Sequence, residues 1–237
     1  MSDARTQELA ANLAEVRHRI AGAARAAGRD PDDITLVAIS KTWPAEDVRR
    51  LYDLGVSTFG ENRDQEAAPK AAAVADLPIV WHFVGQLQTN KAKSVVQYAQ
   101  VVESVDRLRL VAALDHAAQA AGRTVTCLLQ VDLDPSAGHD GKPRGGALPD
   151  EVPAVAAAVA VAPALVLGGV MAVAPLGADP APAFARLAQV AADLRSRHPD
   201  ATIMSAGMTA DLEAGIAAGA THVRVGTAVF GQRALVR

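Results

Sequence analysis

The apolar run Leu36-Val-Ala-Ile-Ser40 leads directly into Lys41, and lysine is seldom placed at the end of a buried segment without a reason. Desolvation disfavours its charged form, so a lysine kept partly neutral there can attack a carbonyl and hold it as a Schiff base. The alternative is a rim lysine that snorkels to water or pairs with a carboxylate, for which Glu61 on a neighbouring strand is the candidate. Two later runs also end in polar residues: Phe59-Gly60-Glu61-Asn62 and Trp81-His82-Phe83-Val84-Gly85-Gln86 put amides and a carboxylate beside a glycine. Asn62 is the better candidate for the polar edge of a small ligand. His82, flanked by Trp81 and Phe83, reads as a hydrogen-bonded packing residue. No second histidine stands at metal-ligand spacing from it, so no metal site is expected.

The last two run ends carry a different chemistry. Ser205-Ala206-Gly207-Met208-Thr209 leads into a helical pattern, and Gly226-Thr227-Ala228-Val229-Phe230-Gly231 follows the final run. Small and hydroxyl-bearing residues at a helix start expose backbone N–H groups to an anion such as phosphate. Taken singly, Gly207 serves as a turn and Thr209 as a helix cap. Arg224, in Val223-Arg224-Val225, points either inward as a permanent cation or outward among helices, and alternation does not decide which. A carbonyl-bonding lysine with a phosphate cradle across from it suits either a sugar phosphate or pyridoxal phosphate.

These residues need a frame that brings run ends together. Eight β-branched or apolar runs are expected as strands: 34–40, 56–60, 79–85, 101–105, 125–133, 165–173, 202–205 and 222–225. Between them lie helical patterns over 44–54, 64–74, 90–98, 107–121, 149–160, 181–197 and 210–218. A further helix with Leu9, Leu13, Val16 and Ile20 on one face leads the chain over residues 1–28 and stops at Gly28. Strand alternating with helix is the pattern of a parallel sheet covered by helices. Eight units fit a closed (β/α)₈ TIM barrel as a single domain over 1–237, with an open doubly wound sheet as the other arrangement. In a barrel the phosphate site is frequently built after strands seven and eight, where the two glycine-containing segments fall.

Composition narrows the function classes. Lys+Arg is 23 against Asp+Glu 26, a net charge of −3, and aromatics are 3%, which speaks against a nucleic-acid binder needing a basic face and stacking rings. Cys127 is the single cysteine, so neither an internal disulfide nor a cysteine metal site is expected, which fits a reducing compartment, and a cytoplasmic protein is expected. The polar N-terminus lacks the apolar block of a signal peptide. Residues 152–178 carry no charge, but Pro153, Pro163 and Pro175 and the Gly168-Gly169 pair break them into a helix and a buried strand rather than a membrane span. The Pro- and Gly-rich loop 134–146 is expected to be long and mobile.

Taken together, Ser40-Lys41-Thr42 with Pro44, Phe59-Gly60-Glu61-Asn62 with Gln65-Glu66, Trp81-His82-Phe83-Val84-Gly85 with Leu87-Gln88-Thr89-Asn90-Lys91, Ser104-Val105-Asp106, Ser205 through Asp211, and Arg224 through Gly231 resemble the pyridoxal phosphate homeostasis proteins. The match runs in order from about residue 34 to the end of the sequence. The resemblance implies an alanine racemase N-terminal domain-like barrel and pyridoxal 5′-phosphate (PLP) as cofactor, held as a Schiff base on Lys41. It further implies that Ser205, Gly207, Met208, Gly226 and Thr227 hold the phosphate, that Asn62 lies by the ring, and that Arg224 faces the pyridine nitrogen. A fixed arginine there favours the unprotonated ring and weakens carbanion chemistry.

The function implied is a binding protein that buffers or delivers PLP without established catalysis, with PLP-dependent apo-enzymes as partners, and existing as a monomer or weak homodimer. The alternative is a PLP-dependent racemase-type enzyme. Racemases use a tyrosine from a separate β domain opposite the lysine; here Tyr52 and Tyr98 fall in expected outer helices, and eight units leave little of the 237 residues for such a domain. Ala206 and Thr209 depart from the family's usual methionine and serine, but both changes keep the backbone donors. The segment Gly138 to Gly146 is more glycine-rich than usual, and no role is carried onto it.

Overall fold

A computed structural model describes residues 3–134 and 145–232. The expectations for the loop 134–146 therefore fall almost wholly outside the described residues. Eight strands, β1 (Thr35–Ile39), β2 (Thr58–Glu61), β3 (Val80–Phe83), β4 (Val101–Val105), β5 (Val125–Gln130), β6 (Leu165–Met171), β7 (Ile203–Ser205) and β8 (His222–Val225), form a closed parallel barrel in sequence order. Pairing of β1 with β8, Val37 opposite Arg224, closes it and excludes the open doubly wound sheet. The connecting helices are α2 (Ala45–Asp53), α3 (Asp64–Ala73), α4 (Ala92–Tyr98), α5 (Leu108–Ala121), α6 (Val152–Ala160), α7 (Pro180–Arg197) and α8 (Leu212–Ala217). They are preceded by α1 (Ala4–Ala26) and followed by the short α9 (Thr227–Phe230).

Alternation along each strand divides the barrel into two environments. Outward residues such as Ala38, Phe59, Trp81, Val223 and Val225 join the helices in one apolar cluster, while Cys127, Leu129, Val170 and Met204 join a second on the other side. Inward, Val101, Leu128, Met171 and Ile203 fill the floor of the lumen. The uncharged stretch 152–178 divides into α6 and β6. No helix among the described residues is long and apolar enough to cross a membrane.

The leading helix α1 buries Leu9, Leu13, Val16 and Ile20, as its periodicity predicts, and the chain leaves it through Gly28 in the left-handed conformation, φ 68°. It also secures the end of the barrel. Arg5 donates to the Phe230 carbonyl at 2.9 Å and Asn12 to the Val229 carbonyl at 3.2 Å, so α1 holds α9 in place at the mouth. The helix after β7 begins at Leu212 rather than near Ala210. The Asp211 carboxylate takes the Met208 N–H at 2.6 Å and forms a turn first, so Thr209 is not the cap.

Candidate functional site

Lys41 stands two residues past the C-terminal end of β1, where βα loops of barrels carry chemistry. Its side chain is exposed at the mouth and has no hydrogen-bond or ion-pair partner among the described residues. The proposed pairing with Glu61 is not what the fold makes. Glu61 shares a strand face with Phe59, two residues away, and so points out of the barrel into the helical layer. There it accepts the Ser40 hydroxyl at 2.7 Å and is ion-paired with Lys70 of α3. The lysine amine is thus left available to a ligand.

The lumen beneath holds a buried polar chain. Arg224 faces inward, which settles the orientation that alternation left open, and is 4% exposed. It donates to the Ser205 hydroxyl at 2.7 Å and to the Ala172 carbonyl at 2.8 Å. Ser205 in turn donates to Glu103 Oε2 at 2.7 Å, and Glu103 Oε1 lies 2.6 Å from His82 Nδ1. His82 is therefore the hydrogen-bonded packing residue its aromatic neighbours indicated, with Glu103 as its partner. Burial raises the Glu103 carboxyl, but the hydrogen bond and charge of His82, then Arg224 and Ser205, outweigh burial and hold it at about 2. Burial, with His82 close by, lowers His222 to about 4, and burial lowers Arg224 as well.

These shifts predict acid sensitivity. An unfolded chain binds protons that the folded lumen refuses, so stability falls as pH drops. The His222 contribution fades from its ordinary 6.5 down to about 4, and the Glu103 contribution from 4.5 down to about 2. Urea midpoints measured from pH 7 to pH 3 should decline throughout, with Glu103→Gln flattening the lower part of the curve. A flat wild-type profile would contradict this reading of the lumen.

Next to the end of β1, the ends of β7 and β8 are tied together by the Arg224 N–H donating to the Gly207 carbonyl at 2.9 Å. Gly207 adopts φ 95°, and a Cβ there would stand 2.9 Å from the Leu212 Cα, so only glycine fits this turn. Gly226 leads into α9, whose first N–H groups, from Thr227 and Ala228, have no acceptor within the helix. Thr227 is exposed at the mouth. Two of the expected phosphate donors are otherwise engaged: the Ser205 hydroxyl lies in the lumen chain and the Met208 N–H is taken by Asp211. Asn62 is half-buried at the end of β2, with Gly85 so close that a Cβ would fall 2.1 Å from the Asn62 carbonyl. A cavity of about 490 Å³ opens beside it, lined by Phe83, Gln86 and Lys91 among others, but its lining includes neither Lys41 nor the ends of β7 and β8.

Lys70 and Glu103 are the site residues that sequence reasoning missed. Glu103 carried a readable signal, a single carboxylate inside the wholly buried run Val101–Val105. Lys70 carried none, because a lysine in an alanine-rich helix with a polar first turn looks like any solvated one.

Comparison with known proteins adds to this geometry. The family model of the alanine racemase N-terminal domain matches residues 9–234. A pyridoxal phosphate homeostasis protein of Pseudomonas aeruginosa is 43% identical over 228 residues, covering 95% of this chain and 96% of its own. Among solved structures, PipY of Synechococcus elongatus with PLP bound has a TM-score of 0.79 at 35% identity, covering 94% of this chain and 100% of that one. Alanine racemase from Streptomyces coelicolor has a TM-score of 0.74 at 19% identity. The match covers 96% of this chain and 59% of the racemase, a likeness of fold alone.

Proposed function

Because the chain belongs to the pyridoxal phosphate homeostasis protein family, built on the alanine racemase N-terminal barrel, we propose that it binds PLP and buffers or delivers it. The observation that carries this reading is the unpartnered Lys41 amine at the end of β1, facing a mouth that also holds an inward arginine and a small-residue turn at the ends of β7 and β8. That donor set fits the group: an amine for the aldehyde, N–H groups for the phosphate and a buried cation for the ring. When bound, PLP supplies an aldehyde that an amine can take and a ring that can draw electrons from an attached carbon.

In this reading Lys41 takes the aldehyde and Asn62 lies by the ring. Gly207, Gly226 and Thr227 give the phosphate its donors, through backbone N–H groups and the Thr227 hydroxyl. Ser205 and Met208 shape the cradle from within, Ser205 by holding Arg224 and Met208 by closing the turn onto Asp211. Arg224 sets the charge at the floor of the site, next to the ring nitrogen. The cytoplasm is the expected compartment, and apo-enzymes that take up PLP are the expected partners.

A carrier is favoured over a racemase-type enzyme by what faces Lys41. Tyr52 and Tyr98 both pack in the outer helical layer, on α2 and at the end of α4. The inward ionisable groups His82, Glu103 and Arg224 are bonded to one another or to the barrel wall. Cys127 is buried, its thiol pushed up by burial to about 12, and takes no part.

Two measurements test the proposal. Absorption titration with PLP should show one equivalent taken up per chain, with a band distinct from free PLP. Incubation of the loaded protein with single-enantiomer amino acids should leave their chirality unchanged. Failure to take up PLP would end the reading, and turnover that disappears in Lys41→Ala would establish an enzyme instead.

A further inference from the structure

The two residues that flank Lys41 are both held from α3 and the strand that precedes it. On the N-terminal side, the Ser40 carbonyl accepts from the Lys70 ammonium at 2.6 Å, and the Ser40 hydroxyl donates to Glu61 Oε1 at 2.7 Å. The same carboxylate oxygen receives the Lys70 ammonium, closing a buried triangle of serine, glutamate and lysine, while Glu61 Oε2 is buried with no hydrogen-bond partner. On the C-terminal side, the Thr42 N–H donates to Glu66 Oε2 at 3.0 Å.

Between these two anchors the backbone does something unusual. Thr42 has φ 68°, and among the described residues it is the one non-glycine residue with a positive φ. A β-branched residue in the left-handed region is strained and persists only where its surroundings over-determine it. Lys70 and Glu61 are 8% and 0% exposed, so the triangle is a rigid, water-poor support rather than a surface ion pair. Among the described residues, the hydrogen bonds and ion pairs of Lys70, Glu61 and Glu66 do not include the lumen chain of Glu103 and Arg224, so their arrangement answers to a different demand.

The geometry points to Lys70 and Glu66 of α3 as positioning residues for Lys41. By clamping the backbone on either side and forcing the Thr42 turn, they aim the lysine amine at the mouth at the cost of local strain. This rests on the reading of Lys41 as the amine that takes the PLP aldehyde. It also accounts for the buried lysine in α3, and for the pairing of Glu61 away from Lys41.

The test compares the aldehyde with a ligand that lacks it. Wild type, Lys70→Met, Lys70→Arg and Glu66→Gln are loaded with PLP, sampled over time into borohydride and scored for label on Lys41 by mass spectrometry. The same proteins are titrated with pyridoxamine 5′-phosphate, which has the ring and phosphate but no aldehyde. Labelling should slow about 100-fold in Lys70→Met, the scale set by an ångström of misplacement, with much of the rate regained in Lys70→Arg. Affinity for pyridoxamine 5′-phosphate should stay at the wild-type value in all four.

Glu66→Gln keeps the buried triangle whole and so remains testable if Lys70→Met does not fold. It should slow labelling, and in the unloaded protein it should speed hydrogen exchange at the Thr42 amide. Wild-type labelling rates in both Lys70→Met and Glu66→Gln would overturn the inference, as would a parallel loss of pyridoxamine 5′-phosphate affinity, which marks a general structural effect. A wild-type protein that never labels at Lys41 would instead overturn the reading on which the inference rests.

Discussion

Lys41→Ala should retain no PLP after borohydride reduction and gel filtration, whereas the wild type should retain one equivalent. Lys41 is exposed at the end of β1 and has no partner among the described residues, so its amine is available without first breaking an ion pair. The neighbouring lysines are poorly placed to replace it. Lys70 is buried against Glu61 and the Ser40 carbonyl, and Lys91 lies on the rim 3.7 Å from Asp64. A residual, reversible affinity should survive, because the β7 and β8 segments are untouched by the substitution. An amine held beside the aldehyde gains the large effective concentration of an intramolecular partner, so equilibrium dialysis should show apparent affinity at least about 100-fold weaker in the variant. Equal retention by the two proteins would remove Lys41 from the site.

Glu103→Ala should lower folding stability by about 3–5 kcal/mol, the range expected when one partner of a buried ion pair is removed. The size follows from what would be left behind. Arg224 is 4% exposed, and its charge lies 3.7 Å from the Glu103 carboxylate in a lumen otherwise floored by Val101, Leu128, Met171 and Ile203. The Ser205 hydroxyl and His82 Nδ1 would lose their shared acceptor as well. Glu103→Gln keeps the shape and one acceptor oxygen, so it should cost less, about 1–3 kcal/mol. Urea denaturation of both variants at pH 7 checks the order. A Glu103→Ala protein as stable as wild type would mean that Arg224 is not buried as a cation.

The barrel was legible because its logic is periodic. Parallel strands covered on both faces read as unbroken apolar runs, and Val101–Val105 and His222–Val225 are strands over the same residues as their runs. Lys41, Gly207, Gly226 and Arg224 were legible too, since a polar residue or a glycine at the end of such a run has few other reasons to be there. What failed was direction. When both faces of a strand are apolar, alternation leaves no mark, so nothing in Phe59-Gly60-Glu61 says that the glutamate turns outward toward Lys70. The same ambiguity left Arg224 undecided until its bonds to Ser205 and the Ala172 carbonyl placed it in the lumen.

Helix starts failed for another reason. The turn closed by Asp211 onto Met208 delays α8 by two residues, and α9 is too short at four residues to show any period. Both lie at the proposed phosphate cradle, where local hydrogen bonds rather than hydrophobic spacing decide the backbone. The clamp around Lys41 is of the same kind: Thr42, Glu66 and Lys70 come together only once α3 has docked on the barrel.

The most direct test of the central claim is peptide mapping of the wild-type protein after loading with one equivalent of PLP and reduction with borohydride. The account predicts a single reduced pyridoxyl group, on the peptide that contains Lys41, in nearly every chain. A label spread over several lysines, or resting on a lysine other than Lys41, would contradict it.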